Sequence, residues 1–215
     1  MKGKYGNFIN INEDGKKYFH IYFNDNKKQE IYNTSLHKDD NVSKISIIID
    51  YQIKSFSRLF YYCGCIESIE FKKFYRNNVT NMSEMFRQCS FLKELNLNNF
   101  NTNNVKDMSG MFYGCSVLKE LNLYNFNTNK VKDMNSMFNG CSSLKELNLN
   151  NFNTNNVTDM SFMFYRCSSL KELNLTNFNT NNVTYLSYMF SGCFDELKLK
   201  IKSQFKNFKE EAFKN

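Results

Sequence analysis

Cysteine recurs at positions 63, 89, 115, 141, 167 and 193, every 26 residues, and whole phrases of sequence recur with it. Val105-Lys106-Asp107-Met108-Ser109-Gly110-Met111-Phe112 returns as Val131-Lys132-Asp133-Met134-Asn135-Ser136-Met137-Phe138, and the phrase begins again at Val157. A period of this length marks a chain that winds one supersecondary unit after another, each touching only its neighbours. Folds in which unlike elements converge on one central core are excluded. The repeat extends beyond its clearest copies. Ile53-x-x-Phe56-x-x-Leu59-Phe60-x-x-Cys63 keeps the pattern with other apolar residues, and Val42-x-x-Ile45-x-Ile47 matches the strand half 24 residues before Ile66-x-x-Ile69-x-Phe71. Leu197-x-Leu199-x-Ile201 reads as a final imperfect strand.

Two apolar periods alternate within a repeat. Val105, Met108, Met111, Phe112 and Cys115 share one face at helical spacing, which predicts a short helix with Asn104 or Asp107 at its positive end. Leu118-x-x-Leu121-x-Leu123 then changes to a period of two, which predicts a strand with one buried face. Phe126 and the polar run Asn127-Thr128-Asn129 close the coil as a turn. One such unit buries too little to offset the entropy of ordering it, so the units must stack. Phe112, Phe138 and Phe164 then make one buried column, and Phe100, Phe126, Phe152 and Phe178 another. The expected fold is an α/β solenoid with about seven parallel strands in one exposed sheet, roughly 30 Å across, and short helices on the opposite side.

The ends differ from the repeats. Tyr18–Phe23 reads as a strand after the turn at Glu13-Asp14-Gly15, with Phe8–Ile11 as its hairpin partner. Residues 1–41 are therefore expected to form an N-terminal cap, hairpin-like, with a small partner-binding module as the alternative, and 42–201 the solenoid. Phe205, Phe208 and Ala212 predict an amphipathic capping helix within 202–215.

Leu92-x-x-Leu95-x-Leu97, Leu118-x-x-Leu121-x-Leu123, Leu144-x-x-Leu147-x-Leu149 and Leu170-x-x-Leu173-x-Leu175 resemble the core of leucine-rich repeats. The fuller phrase from Phe152 through Val157, Met160, Met163-Phe164 and Cys167 to Leu170 resembles the BspA-type leucine-rich repeat of bacterial and mycoplasmal surface proteins. The match covers roughly residues 53–193. Phe126 and its equivalents stand where many leucine-rich repeats place Asn, and no proline follows the strand. The resemblance implies a right-handed solenoid used as an interaction surface, often in adhesion, with no common catalytic site and often displayed at the cell surface.

The remaining residues argue for packing over chemistry. Cysteines that occur once per coil beside Met and Phe read as small core hydrophobes, and equivalent positions on adjacent coils should be too far apart for disulfides. Seven is an odd number of thiols, which suits a reducing compartment. Nine of the ten methionines lie at two positions of the repeat and read as core filler. Two histidines, His20 and His37, lack the company a zinc site needs, and one Asp per coil lacks the oxygen cluster of a calcium site, so neither metal nor cofactor is expected. The net charge of +7 divides as +4, +1 and +2 over residues 1–78, 79–182 and 183–215. With no basic stripe along the repeats, nucleic acid is a weaker expectation than a protein partner, resting on the basic ends. The start is basic with no apolar region behind it, so no secretory leader is expected, and no apolar run is long enough to span a bilayer.

With the leucines pointing inward, the alternate strand positions must point outward. They form three columns: Glu94, Glu120, Glu146 and Glu172; Asn96, Asn122, Asn148 and Asn174; and Asn98, Tyr124, Asn150 and Thr176. Two expectations stand side by side: a solvated face whose asparagines bond from coil to coil, or a recognition surface for a protein or glycan with Tyr124 as its anchor. The glutamates should repel one another unless Lys93, Lys119, Lys145 and Lys171 or a basic partner neutralise them. The functional expectation is a non-enzymatic scaffold, monomeric or weakly self-associating. A structural or self-assembling role and a nucleic-acid role through the basic termini are the alternatives.

Overall fold

The computed structural model describes residues 5–72, 74, 76–205 and 208–214. The N-terminal part begins with β1 (Gly6–Asn7) and a 3-10 helix (Glu13–Tyr18), followed by β2 (Phe19–Phe23), β3 (Ser35–Leu36) and β4 (Ile45–Ile49). The expected hairpin is absent. β2 pairs antiparallel with β4, Phe19 opposite Ile49 and Phe23 opposite Ile45, and β1 pairs antiparallel with β3. The reason lies between Phe8 and Tyr18, where Asn12 caps the 3-10 turn by accepting from the Gly15 N–H and so interrupts any tight hairpin. Ile45–Ile49, expected to open the solenoid, belongs to this N-terminal unit instead. The unit covers the first coil directly: the Asn10 N–H donates to the Leu59 carbonyl at 2.7 Å, and Cys65 Sγ to the Asn7 carbonyl at 3.1 Å.

From residue 54 the coils stack with a regularity that the apolar pattern demands. Every Val, Met, Phe and Cys of the repeat between Val79 and Phe190 is buried, and most are wholly enclosed. Phe60, Phe86, Phe112, Phe138, Phe164 and Phe190 form one column of near-parallel rings whose centroids lie 5.5–5.7 Å apart.

The segment expected to be a short helix is not helical. Its backbone is a ribbon of tight turns in which hydrogen bonds alternate between two directions. Met108, Gly110, Phe112 and Gly114 donate to the next coil at Asp133, Asn135, Met137 and Asn139, at 3.1, 2.7, 2.9 and 2.7 Å. Met111, Tyr113 and Cys115 donate backward within their own coil to Met108, Gly110 and Phe112. Gly110 and Gly114 have φ of +57° and +70°, the left-handed geometry of the third residue in a type II turn. The same two positions are left-handed in every coil, held by Ser136 and Gly140 in the next and by Phe162 and Arg166 in the one after. A period near 3.6 cannot distinguish this ribbon from a helix because two turns of four residues also bring positions 1, 4, 5 and 8 to one side. Coil-to-coil bonding decides between them, since a helix spends its N–H groups on its own carbonyls. Parallel bridges continue this bonding without a break through Ser55, Asn81, Asp107, Asp133, Asp159 and Tyr185.

The strand side is less continuous than expected. β5 (Ser68–Glu70) pairs in parallel with β6 (Glu94–Asn96), and β7 (Glu146–Asn148) with β8 (Glu172–Asn174). The coil between them, with Leu121 and Leu123 buried, joins neither pair, so the seven-stranded sheet is replaced by two parallel pairs. Phe74 and Phe100 beside the first pair lie 4.2 Å apart, and Phe100–Phe126 and Phe126–Phe152 are separated by 6.2 and 6.4 Å. Asparagine side chains link the coils here: Asn125 Nδ2 donates to the Leu97 and Phe100 carbonyls at 3.1 and 2.7 Å, and Asn151 Nδ2 to those of Leu123 and Phe126 at 2.9 and 2.8 Å.

The expected last strand at Leu197–Ile201 is a helix, α1 (Asp195–Gln204). Leu197 and Ile201, one turn apart, are buried, while Leu199 between them is 67% exposed. Asp195 and Glu196 in the first turn and Lys202 in the last suit the helix dipole. The capping helix thus begins earlier than expected, and the chain after it behaves as a partial coil. Glu211 and Ala212 accept from the Tyr188 and Phe190 N–H groups at 2.9 and 2.8 Å, and Phe213 stacks 5.1 Å from Phe190 to end the column.

Candidate functional site

All twelve residues of the three strand columns are exposed. Their side chains differ in what they are free to do. Asn96, Asn122, Asn148 and Asn174 each turn Oδ1 back to accept the backbone N–H two residues on, from Asn98, Tyr124, Asn150 and Thr176, at 3.0–3.1 Å. The expected coil-to-coil ladder of this column is therefore not formed. The next asparagine along the chain, at 99, 125, 151 and 177, makes those bonds instead. The column at 96–174 shapes the loop after each strand and leaves its Nδ2 groups facing solvent.

The glutamate column is only partly neutralised. Lys93 pairs with Glu67 at 3.0 Å and Lys200 with Glu172 at 3.2 Å. Among the described residues Glu94, Glu120 and Glu146 form no ion pair, nor do Lys119, Lys145 and Lys171. Three successive coils thus carry an unpaired carboxylate beside a row of unpaired ammonium groups. Tyr124, 66% exposed, stands on the coil that joins neither strand pair.

Concavity enters where α1 meets the strands. A groove of about 380 Å³ has β7 and β8 as its floor and Lys200, Gln204 and Phe205 as its wall. It gathers Glu146, Asn148, Glu172, Asn174 and Thr176 from the expected face and leaves Glu94, Asn96, Asn98, Glu120, Asn122, Tyr124 and Asn150 on the flatter surface beyond. The Lys200–Glu172 pair separates it from a second depression bounded by Lys171, Phe194, Glu196 and Leu197. Lys200, Gln204 and Phe205 do not figure in the sequence-derived face because 197–201 reads as a strand. The acidic pair Asp195-Glu196 and the four-residue spacing of Leu197 and Ile201 are the signals that reveal the helix.

The reactive side chains elsewhere are occupied. Cys89, Cys115, Cys141, Cys167 and Cys193 each point Sγ at the carbonyl of the phenylalanine 29 residues earlier, at 2.9–3.2 Å. Burial pushes the Cys89, Cys141 and Cys193 thiols up to about 12 and raises those of Cys63, Cys115 and Cys167 as well. All seven cysteines are free. His20 lies between two carboxylates, Nδ1 at 2.9 Å from Glu30 and Nε2 at 3.3 Å from Asp50. The Glu30 bond above all raises its pKa against the opposing effect of burial, with Asp50 adding to it. Asp133 is shifted upward by burial and by Asp107 and Asp159 on the adjacent rungs, against the pull of the Asn135 N–H. Among the described residues no group of three or more His, Cys, Asp or Glu is placed to hold a metal ion, and no helix is long and apolar enough to cross a membrane.

A family profile described as "Mycoplasma protein of unknown function, DUF285" matches residues 54–148 and 112–211. Curated proteins yield no match. Among solved structures the chain is similar to the leucine-rich-repeat protein TpLRR of T. pallidum, at 16% identity and a TM-score of 0.44, over 75% of this chain and 79% of that one.

Proposed function

The chain belongs to the Mycoplasma DUF285 family, and we propose that this member is a non-enzymatic binding scaffold that holds a protein or glycan partner on its strand face. The observation that carries this reading is the groove beside α1, where Glu146, Asn148, Glu172, Asn174 and Thr176 from two coils share one concave, polar surface with Lys200 and Phe205. Polar groups converging on a concavity beside an aromatic side chain suit recognition of a partner. Glu94, Glu120 and Tyr124 extend the same face, and their unpaired charge and exposed ring supply complementarity and an anchor. The non-enzymatic part rests on the thiols, which are protonated and committed to carbonyls, and on His20, which is held between Glu30 and Asp50. The BspA-like character of the repeat favours an adhesion-type role and a right-handed winding.

The test is capture of proteins and surface glycans by the full chain, run beside Tyr124→Ala and a groove variant, Asn148→Ala with Asn174→Ala. A ligand retained by the full chain and lost by folded variants supports the reading. Capture that none of these substitutions weakens overturns it. Any nucleic-acid binding must weaken steeply with salt to count as a role for the basic ends.

A further inference from the structure

The groove beside α1 holds hydrogen-bonding groups that the chain itself leaves unused. Glu146 on β7 is exposed and pairs with no cation among the described residues. Asn148 and Asn174 stand directly opposite each other in the β7–β8 register. Each spends Oδ1 on a backbone N–H of its own loop, from Asn150 and Thr176, both at 3.1 Å, which holds two Nδ2 donors in fixed positions one coil step apart. The Thr176 hydroxyl also donates to Asn174 Oδ1, so its lone pairs remain to accept. From the wall come the exposed Gln204 amide and the half-buried Phe205 ring, braced edge-on by Phe208 at 5.9 Å. The committed charges are Lys200 and Glu172, joined to each other at 3.2 Å.

A free carboxylate beside two fixed amide donors discriminates among ligands by what each can give and take. An anionic group only accepts, and the carboxylates of Glu146 and Glu172 repel it. A Lys or Arg side chain satisfies Glu146 but brings no acceptor for the Asn148 and Asn174 amides. An apolar side chain leaves the carboxylate and both amides desolvated without partners. A hydroxyl both donates and accepts, and a sugar ring carries several of them around its edge with apolar C–H faces between. The groove's volume of about 380 Å³ lies at the small end of the range of about 300–1,000 Å³ for small-molecule sites.

We infer that this groove is a site for a neutral saccharide, in which a pyranose donates hydroxyl protons to Glu146, accepts from Asn148 and Asn174 Nδ2, and lays a C–H face against the Phe205 ring. The site rests on the reading of the strand face as a binding surface and narrows the partner there to a glycan. Glu94-Leu95-Asn96 and Glu120-Leu121-Asn122 repeat the chemistry of the floor, but α1 supplies its wall of Lys200, Gln204 and Phe205 beside β7 and β8. The strands therefore provide a repeated polar pattern, and the end of the solenoid turns one copy of it into a concavity.

The experiment titrates the full chain with methyl glycosides of glucose, galactose, mannose and N-acetylglucosamine, read by saturation-transfer NMR. The variants are Glu146→Ala and Phe205→Leu, with Lys106→Ala on the turn ribbon as a control. Glu146 is exposed and unpaired, so its removal should leave the melting profile unchanged, and leucine keeps Phe205's apolar packing while removing the ring. The expected result is binding of at least one glycoside, a tenfold or greater loss of affinity in Glu146→Ala, a several-fold loss in Phe205→Leu, and no change in Lys106→Ala. Binding of none of the glycosides overturns the inference, as does binding that persists undiminished in Glu146→Ala. If no glycoside binds while a protein is captured through Asn148 and Asn174, the saccharide site falls and the binding scaffold stands; if neither is held, both fall.

Discussion

Replacing Gly140 with alanine separates a stack of turns from a row of helices by the sign of a stability change. In a helix, alanine is favoured over glycine by about 0.8–1.0 kcal/mol. In the turn ribbon Gly140 has φ +73°, and a Cβ there would meet only the Cα and N of Gly114 at 3.6 Å, an ordinary contact. Space is therefore not the obstacle; the backbone conformation is. A left-handed residue with a Cβ costs roughly 1–2 kcal/mol. Alanine recovers about 0.4–1 kcal/mol of that by restricting the unfolded chain. The Gly140 N–H keeps its 2.8 Å bond to Tyr165, so no hydrogen bond is lost. The net expectation is destabilisation by about 0.5–1 kcal/mol, or a melting temperature lower by about 1–4 °C for a chain of this length. Ser136→Gly, at the other left-handed position of the same coil with φ +55°, runs the argument backward and should raise the melting temperature by a similar amount. Differential scanning calorimetry of both variants beside the parent chain is sufficient. A higher melting temperature for Gly140→Ala, or a lower one for Ser136→Gly, refutes the turn geometry.

Phe138→Leu should lower stability by about 1–3 kcal/mol through the loss of two ring contacts, at 5.6 and 5.5 Å; urea unfolding beside the parent chain decides it. The five thiols that donate to phenylalanine carbonyls should resist iodoacetamide in the native chain at pH 8 and react once it is unfolded, as mass spectrometry would reveal. The raised pKa of His20 makes its stabilising effect full below about 6.5. The effect is lost as pH rises through the folded-state value. Melting temperatures of the parent and His20→Gln should therefore converge at alkaline pH and separate as the pH falls, and a constant difference would contradict the bridge to Glu30 and Asp50.

What the sequence revealed depends on how far each residue's role is repeated. The period, the buried Met, Phe and Cys positions and the stacking of Phe112, Phe138 and Phe164 were legible because six coils repeat the same apolar spacing. The backbone conformation between those positions was not. Glycine at 110, 114 and 140 hints at left-handed turns, but Ser136, Phe162 and Arg166 occupy equivalent places, and the signal is diluted by residues that adopt the geometry under duress from coil-to-coil bonding. The ends failed for the opposite reason. β2 finds its partner at Ile45–Ile49 through contacts that occur once, and α1 takes over residues whose leucine spacing imitates a strand.

The strand columns follow directly from alternation, so all twelve residues could be named without coordinates, although the groove among them depends on where α1 lies. In a solenoid, a residue that serves the stack must resemble its counterparts in adjacent coils, because it meets the same environment there. A residue that serves a ligand need not. Positions that break their column while leaving the core columns intact are therefore where binding specificity can reside at little cost to the fold. Tyr124 between Asn98 and Asn150 on the strand side is such a position.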